Sequence, residues 1–245
     1  MKTFWAVLLL SSLSFITTYL GVKLAWRFRS NNKVMASGLG FSVGMMLWIS
    51  IFELLPQVII DLGLGRTLIW LGAGCLLIFL LDFILPHTHL CHERGKINLN
   101  LKVAYLVGVG LILHDFPEGF ALASSYIHSS NLGILVALSI ALHNLPEEWA
   151  MSVPLVVLGK KKVLYRMAFV SALAEPVGAI IGLLIVSIFF KFNSFLMAFT
   201  AGAMIFISLH ELVPQAKSYK KPALFFLGLI LSALVLWAMN FLIRV

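Results

Sequence analysis

Charge is what this sequence has least of. Asp, Glu, Lys and Arg make up 11% of its 245 residues, against 61% hydrophobic, where a soluble domain carries roughly 25% charged residues. No polar stretch exceeds about fifteen residues, so the chain is read as one transmembrane domain over 1–245, with no soluble domain beside it. Cysteine is almost absent. Cys75 and Cys91 sit in different surroundings and offer no disulfide framework, and Cys75 is expected to be buried as a small apolar residue. Two enzyme signatures are also missing. In "HELVP" at 210–214 a proline stands where the second histidine of the zincin pattern would be, and the E-x-x-H of carboxylate di-iron bundles does not occur.

What the chain has instead is apolar runs of about 20 residues, the length that crosses ~30 Å of hydrocarbon. Eight are expected, over about 3–24, 34–57, 66–86, 99–124, 131–156, 163–190, 194–216 and 222–243. The fold class is therefore an all-α integral membrane bundle with short connections. The start, "MKTFWAVLLLSSLSF", imitates a secretory signal, but the apolar run continues past Leu20 without an A-x-A site and is read as a retained first helix.

The net charge of +8 is not the footprint of a nucleic-acid partner, because the basic residues follow the connections. Fourteen of the eighteen flank the first, third, fifth and seventh connections, and only Lys2, Arg66, Lys191 and Arg244 fall on the other side. The positive-inside rule then puts the odd-numbered connections in the cytosol and both termini outside.

Two pairs of segments repeat. "ISIFELLPQ" at 49–57 matches "ISLHELVPQ" at 207–215 at six of nine positions. "LHDFPEGFA" at 113–121 matches "LHNLPEEWA" at 142–150 at the leucine, histidine, proline, glutamate and final alanine. Members of each pair are an odd number of crossings apart and run in opposite directions. Both matches fit one pseudo-two-fold axis in the membrane plane, the pattern of secondary transporters.

The repeats carry the groups that cost most in a bilayer. Glu53, Asp115, Glu118, Glu147, Glu148, Glu175 and Glu211, seven of the ten acids, sit deep in the apolar runs with His114, His143 and His210. A central Asp costs roughly 2.5–3.5 kcal/mol on insertion scales, so such groups need partners or water and mark function by default. No Lys or Arg lies at comparable depth. The missing positive charge must come from protons, a bound cation, or both.

Spacing indicates which cation. His114 and Glu118 are i, i+4 neighbours on one helix face, as are His143 and Glu147. Asp115 and Asn144 lie about 60° round the helix from those glutamates. Imidazole with carboxylate suits zinc, iron, manganese or cobalt, whereas magnesium and calcium prefer oxygen alone. Glu118 and Glu147 could bridge two metals, one held by His114 and His143, the other by Asp115, Asn144 and Glu175. Pro117 and Pro146 each remove a backbone bond and are expected to free the carbonyls of Leu113 and Leu142, opening irregular backbone at the site. Each proline alone is equally compatible with a plain kink.

Glu175 has the alternative of a buried acid bonded to Ser171. Glu53, His210 and Glu211 either line the path or tie helices together. His128 reads as an interfacial histidine. His87, His89 and His92, with Cys91 in "PHTHLCHERGK", either hand metal on or decorate a solvated connection.

At these residues the chain resembles the ZIP (Zrt/Irt-like) metal transporters of the compact prokaryotic kind. The fourth-helix H-N-x-P-E-G of that family appears as His114–Gly119, the fifth-helix counterpart as His143–Glu148, the sixth-helix acid in "AEP" at 174–176, and the seventh-helix pattern in "HELVP". The resemblance covers all eight segments. It implies a 3+2+3 inverted arrangement, a two-metal site between helices four and five, a homodimer in the cell's inner membrane, and transport of zinc, or of iron, manganese, cobalt or cadmium, towards the cytosol. It also implies that helices 1, 4, 5 and 6 move against 2, 3, 7 and 8. Asp115 replaces the commoner Asn and Glu148 the usual Gly, which adds two acids beside the family's ligands. A membrane metalloenzyme or a metal sensor using the same groups is the other reading.

Overall fold

The computed structural model describes residues 2–28, 31–84 and 99–244. His87, His89, Cys91 and His92 lie outside the described residues. Among the described residues there are eight long helices, each where an apolar run is expected: α1 Lys2–Phe28, α2 Asn32–Leu62, α3 Leu64–Ile84, α4 Leu99–His128, α5 Ser130–Val157, α6 Lys161–Ile188, α7 Phe190–Ser218 and α8 Pro222–Arg244. Six are long and apolar enough to cross a membrane; α4 and α5, which hold the matched polar motifs, are the other two. The surface is the reverse of a soluble protein's. Phe83 and Trp237 are 76% and 70% exposed, whereas Glu118 and His143 are fully buried. Apolar side chains face outward because lipid is as apolar as they are, so the bundle is held by close packing and by polar contacts inside.

The helices pack in counterpart pairs. α4 lies along α6 and α5 along α1, while α2 lies along α8 and α3 along α7. Exchanging α1–α3 with α6–α8, and α4 with α5, turns each pairing into another, as an inverted repeat requires. Two further contacts, α4 on α7 and α2 on α5, join the set α1, α4, α5, α6 to the set α2, α3, α7, α8. They too are counterparts.

Pro117 and Pro146 do not break their helices, and α4 and α5 remain α-helical through both. The expected irregular backbone occurs instead in the other repeat pair, where Ile49–Leu54 of α2 and Ser208–Leu212 of α7 are π-helical. Pro56 and Pro214 lie in the first turn of the α-helical stretch that follows each. A proline clashes with the carbonyl four residues back, and a π turn, one residue wider, moves that carbonyl away. Glu53 and Glu211 are carried on these widened turns.

Candidate metal centre

The polar motifs of α4 and α5 meet inside the bundle. His114 Nδ1 lies 2.7 Å from the carbonyl of Gly110 and His143 Nδ1 lies 2.9 Å from that of Ser139, in each case one turn back. Donation from Nδ1–H to a carbonyl fixes the ring and leaves Nε2 as the free lone pair, the orientation found in metal-ligating histidines. The i, i+4 geometry sets this bond, so both copies of the motif aim Nε2 the same way relative to their helix.

His143 Nε2 is 2.9 Å from Glu118 Oε1. Ligand atoms of Glu118, His143 and Glu147 all lie within 4.8 Å of one another. Both oxygens of Glu147 and the Nε2 of His114 are buried without a hydrogen-bond partner among the described residues. His114 Nε2 instead stands 3.6 Å from Glu147 Oε1 and 3.6 Å from Glu211 Oε2, which reaches in from α7. The Asn144 amide, with its nitrogen turned inward, lies 3.2 Å from both Glu118 Oε2 and His143 Nε2 and 3.1 Å from the Ile140 carbonyl, three candidate acceptors for its two N–H. With its oxygen turned inward, it would instead offer one more ligand beside Glu118 and His143. An imidazole that has spent its proton on Ser139 cannot also face a bare carboxylate at hydrogen-bond distance. A proton or a cation must lie between them.

Asp115 and Glu148 form a second group. Ser171 of α6 donates to Asp115 Oδ2 and lies 2.9 Å from Glu148 Oε1, which is also 3.3 Å from Thr18 Oγ1 of α1. A hydroxyl has one proton to give, so Ser171 serves one carboxylate at a time, and Glu148 keeps the Thr18 hydroxyl as a second donor. Ser171 is thus taken by Asp115 and Glu148, not by Glu175 as the alternative reading had it. Glu175 is buried in α6 with Oε2 unpartnered among the described residues. Its backbone carbonyl presses on α4 at Gly119, where a Cβ would collide with it. That contact brings α6 close enough for Ser171 to reach Asp115.

The remaining residues lie further out. Glu53 accepts a hydrogen bond from Asn240 of α8. His210 stacks on Phe206 at 4.8 Å, and its Nε2 is 3.1 Å from Asp82 Oδ2 of α3. The sequence reading passes over Asp82, although it is 5% exposed and is an eighth acid within the apolar helices. One signal would have found it. Asp82 and Asn240 each stand eighteen residues beyond the first residue of their helix, Leu64 and Pro222, so the repeat makes them counterparts. His128 meets Asp61 at 3.7 Å near the ends of α4 and α2. Cys75 is half-buried rather than buried, with Sγ 3.2 Å from the Gly202 carbonyl. Cavities of about 260 and 350 Å³ lie at helix ends away from this centre; a bare ion needs no such volume.

An all-helical bundle with an apolar exterior, matched inverted repeats and buried imidazole–carboxylate clusters defines a multi-pass membrane transporter. Residues 88–240 match the family model of the ZIP zinc transporters. The chain is 33% identical over 247 residues to the zinc transporter ZupT of Streptococcus mutans, covering 93% of this chain and 94% of that protein. It is 35% identical over 261 residues to that of Chlorobium phaeovibrioides, covering 96% and 97%. With that of Corynebacterium aurimucosum the identity is 36% over 231 residues, covering 87% and 86%. The chain belongs to the ZIP family, and it is a metal transporter, not an enzyme.

Proposed function

We propose that the protein carries zinc across the inner membrane towards the cytosol through the centre between α4 and α5. One observation carries this reading: the ligand atoms of Glu118, His143 and Glu147 lie within 4.8 Å of one another, fully buried, with no Lys or Arg at comparable depth in the apolar runs to balance the charge. Imidazole nitrogen with carboxylate oxygen suits zinc, and also iron, manganese, cobalt or cadmium as competing cargo. Glu118 and Glu147 bridge two ion positions. His114 and His143 serve one, and Asp115, Asn144 and Glu175 the other, with Glu148 supplying charge through Ser171. His210 and Glu211, with Asp82, line the way out.

The pairwise packing supports an elevator-type movement of the whole transport domain. α1, α4, α5 and α6 carry the centre and pack on one another, while α2, α3, α7 and α8 form the frame. The distribution of basic residues among the connections supports an orientation with both termini outside the cytosol, and the protein works as a homodimer in the lipid bilayer.

The test is uptake of radiolabelled zinc by cells expressing the protein. Glu118→Ala and Glu147→Ala are each expected to abolish uptake while the protein stays in the membrane. Normal uptake by both variants would sink the assignment. Competition among zinc, iron, manganese, cobalt and cadmium in one proteoliposome preparation then orders the cargo.

A further inference from the structure

The chain directions give the shared ligand position an inner and an outer edge. α4 starts at the end of the bundle where α5 finishes. One turn along each helix therefore sets the backbone of His114 and Glu147 about 6 Å further in than that of Glu118 and His143, while ligand atoms of Glu118, His143 and Glu147 still converge within 4.8 Å of one another. Each pair combines an imidazole of one helix with a carboxylate of the other. The inner pair has a third member from the frame, since Glu211 Oε2 is 3.6 Å from His114 Nε2. It rides on the π-helical turn Ser208–Leu212.

The repeat supplies the same device on the outer side. Glu53 is the counterpart of Glu211 in "ISIFELLPQ" and "ISLHELVPQ", it rides on the π-helical turn Ile49–Leu54, and it lies towards the outer end of α2 as Glu211 lies towards the inner end of α7. Yet the two are engaged differently. Glu211 faces His114 of the opposite set of helices. Glu53 accepts from Asn240 within its own set, while His143 and Glu118 hold each other at 2.9 Å.

We propose that Glu53 is the outer frame ligand: when α4 and α5 stand one step further outward, Glu53 leaves Asn240 and joins the shared ligand position beside His143 and Glu118, as Glu211 joins it beside His114 and Glu147. The cargo is then received by an imidazole and two carboxylates on one side and released from a matching set on the other. Each frame glutamate serves in only one position of the carrier. Asn240 is the resting partner that keeps the Glu53 carboxylate satisfied while the ion is elsewhere, because a buried carboxylate without a hydrogen bond is costly. The π turn matters here because its wider ring lets one side chain choose between two neighbours with little change in the rest of the helix. A ligand can shift such an equilibrium only through different contacts in the two states, and Glu53 supplies that difference.

This inference rests on the ligand reading of Glu118 and His143 above. The experiment measures zinc transport by the full chain in oriented proteoliposomes, with zinc presented to one face at a time. Glu53→Gln is expected to raise the half-saturating zinc concentration about tenfold or more from the outer face and to leave it within about twofold from the inner face. Glu211→Gln is expected to show the reverse. Asn240→Ala, which keeps the Glu53 carboxylate but removes its resting partner, is expected to lower the outer half-saturating concentration. It serves as the readout if Glu53→Gln does not fold. Equal effects of Glu53→Gln on both faces, or none on either, overturn the proposal, as does an unchanged or raised outer value in Asn240→Ala. If Glu118→Ala transports normally the ligand reading itself has failed. Loss there, with no sidedness in Glu53→Gln, removes only the role of Glu53.

Discussion

In α4 the residue after the motif glutamate is Gly119, pressed onto the backbone of α6. In α5 the same position is Glu148, and the room for it is made by Gly21 of α1, where a Cβ would lie 2.7 Å from Glu148 Cβ and 2.9 Å from the Leu145 carbonyl. The two copies of the motif share histidine, proline and glutamate but solve helix contact differently. At the α4–α6 crossing both helices supply a glycine, since a Cβ on Gly178 of α6 would lie 2.3 Å from the Phe116 carbonyl, whereas beside Glu148 the glycine is on α1. With the glycine on α1, α5 keeps a side-chain position beside the centre, and this chain fills it with an acid. That acid reaches Ser171 and through it Asp115, so both departures from the family's motif meet at one hydroxyl.

The largest effect is expected from breaking the α4 contact. Gly119→Ala drives a Cβ into the Glu175 carbonyl and to within 2.5 Å of the Ala179 nitrogen, and backbone cannot give way as a flexible side chain can. Overpacking of this kind costs about 1–3 kcal/mol or more. The variant should lose most of its folded yield in detergent and its zinc uptake. Gly21→Ala should fall the same way but less far, since part of its clash is with a side chain. Gly72→Ala, with nothing within 4 Å of its Cβ, should behave as the parent. A Gly119→Ala protein with parental thermal unfolding would show that the two contacts are not equivalent.

Next in size is the response to acid. Carboxylate and imidazole bind metal only when deprotonated, so affinity is present at neutral pH and falls as protons compete. Purified protein is expected to hold zinc near pH 7 and to lose nearly all of it at about pH 4, where model carboxylates protonate. Metal content measured across that range and found unchanged would contradict a protonatable ligand set. The two motif copies can be compared in the same titration, because Glu118→Gln and Glu147→Gln each remove one competing carboxylate and should each lower the neutral-pH content.

A smaller, sharper test addresses the Ser171 bridge. Asp115→Asn and Glu148→Gln should each weaken zinc binding several-fold, and the double variant should fall short of their product. Groups sharing one partner couple by about 0.5–3 kcal/mol. Strict additivity in binding titrations would mean that Ser171 does not link them, and that Glu148 belongs to the α1 contact alone.

How much of this could be read from the chain follows from the same comparison. Local periodicity placed every long helix, because apolar runs and i, i+4 spacing are one-dimensional quantities. The facing of His143 on Glu118 was legible for the same reason, since two matched motifs with paired ligands imply a shared volume. Sequence reasoning failed where partner choice is set by helices distant in sequence. Ser171 is one helical turn from Glu175 but 56 residues from Asp115 and 23 from Glu148; the close approach of α6 to Gly119 brings the distant pair within reach. Asp82 carries no local signal in α3, because its partner is His210 on α7, 128 residues away. The prolines misled in another way. Pro117 and Pro146 signal broken backbone by rule, but the widened turns formed ahead of Pro56 and Pro214.

The smallest expected effect comes from the end of the bundle where His128 of α4 meets Asp61 of α2, and it separates distance from energy. His128 and Asp61 are 3.7 Å apart, and His114 and Glu211 are 3.6 Å apart. The first pair has side chains 25% and 35% exposed, the second 0% and 4%. Water and salt screen the first pair, and exposed pairs contribute about 0–1 kcal/mol. Asp61 also has Ser194 as a second partner at 2.5 Å, so removing its charge leaves a hydrogen bond in place. Asp61→Asn is therefore expected to change zinc uptake by no more than about twofold, with the difference shrinking further as ionic strength rises past ~0.15 M. Glu211→Gln, at nearly the same separation, acts where no solvent can compensate and should cost far more under identical conditions. If Asp61→Asn proved as damaging as Glu211→Gln, and equally so in high salt, these ends of α2, α4 and α7 would belong to the transport path itself.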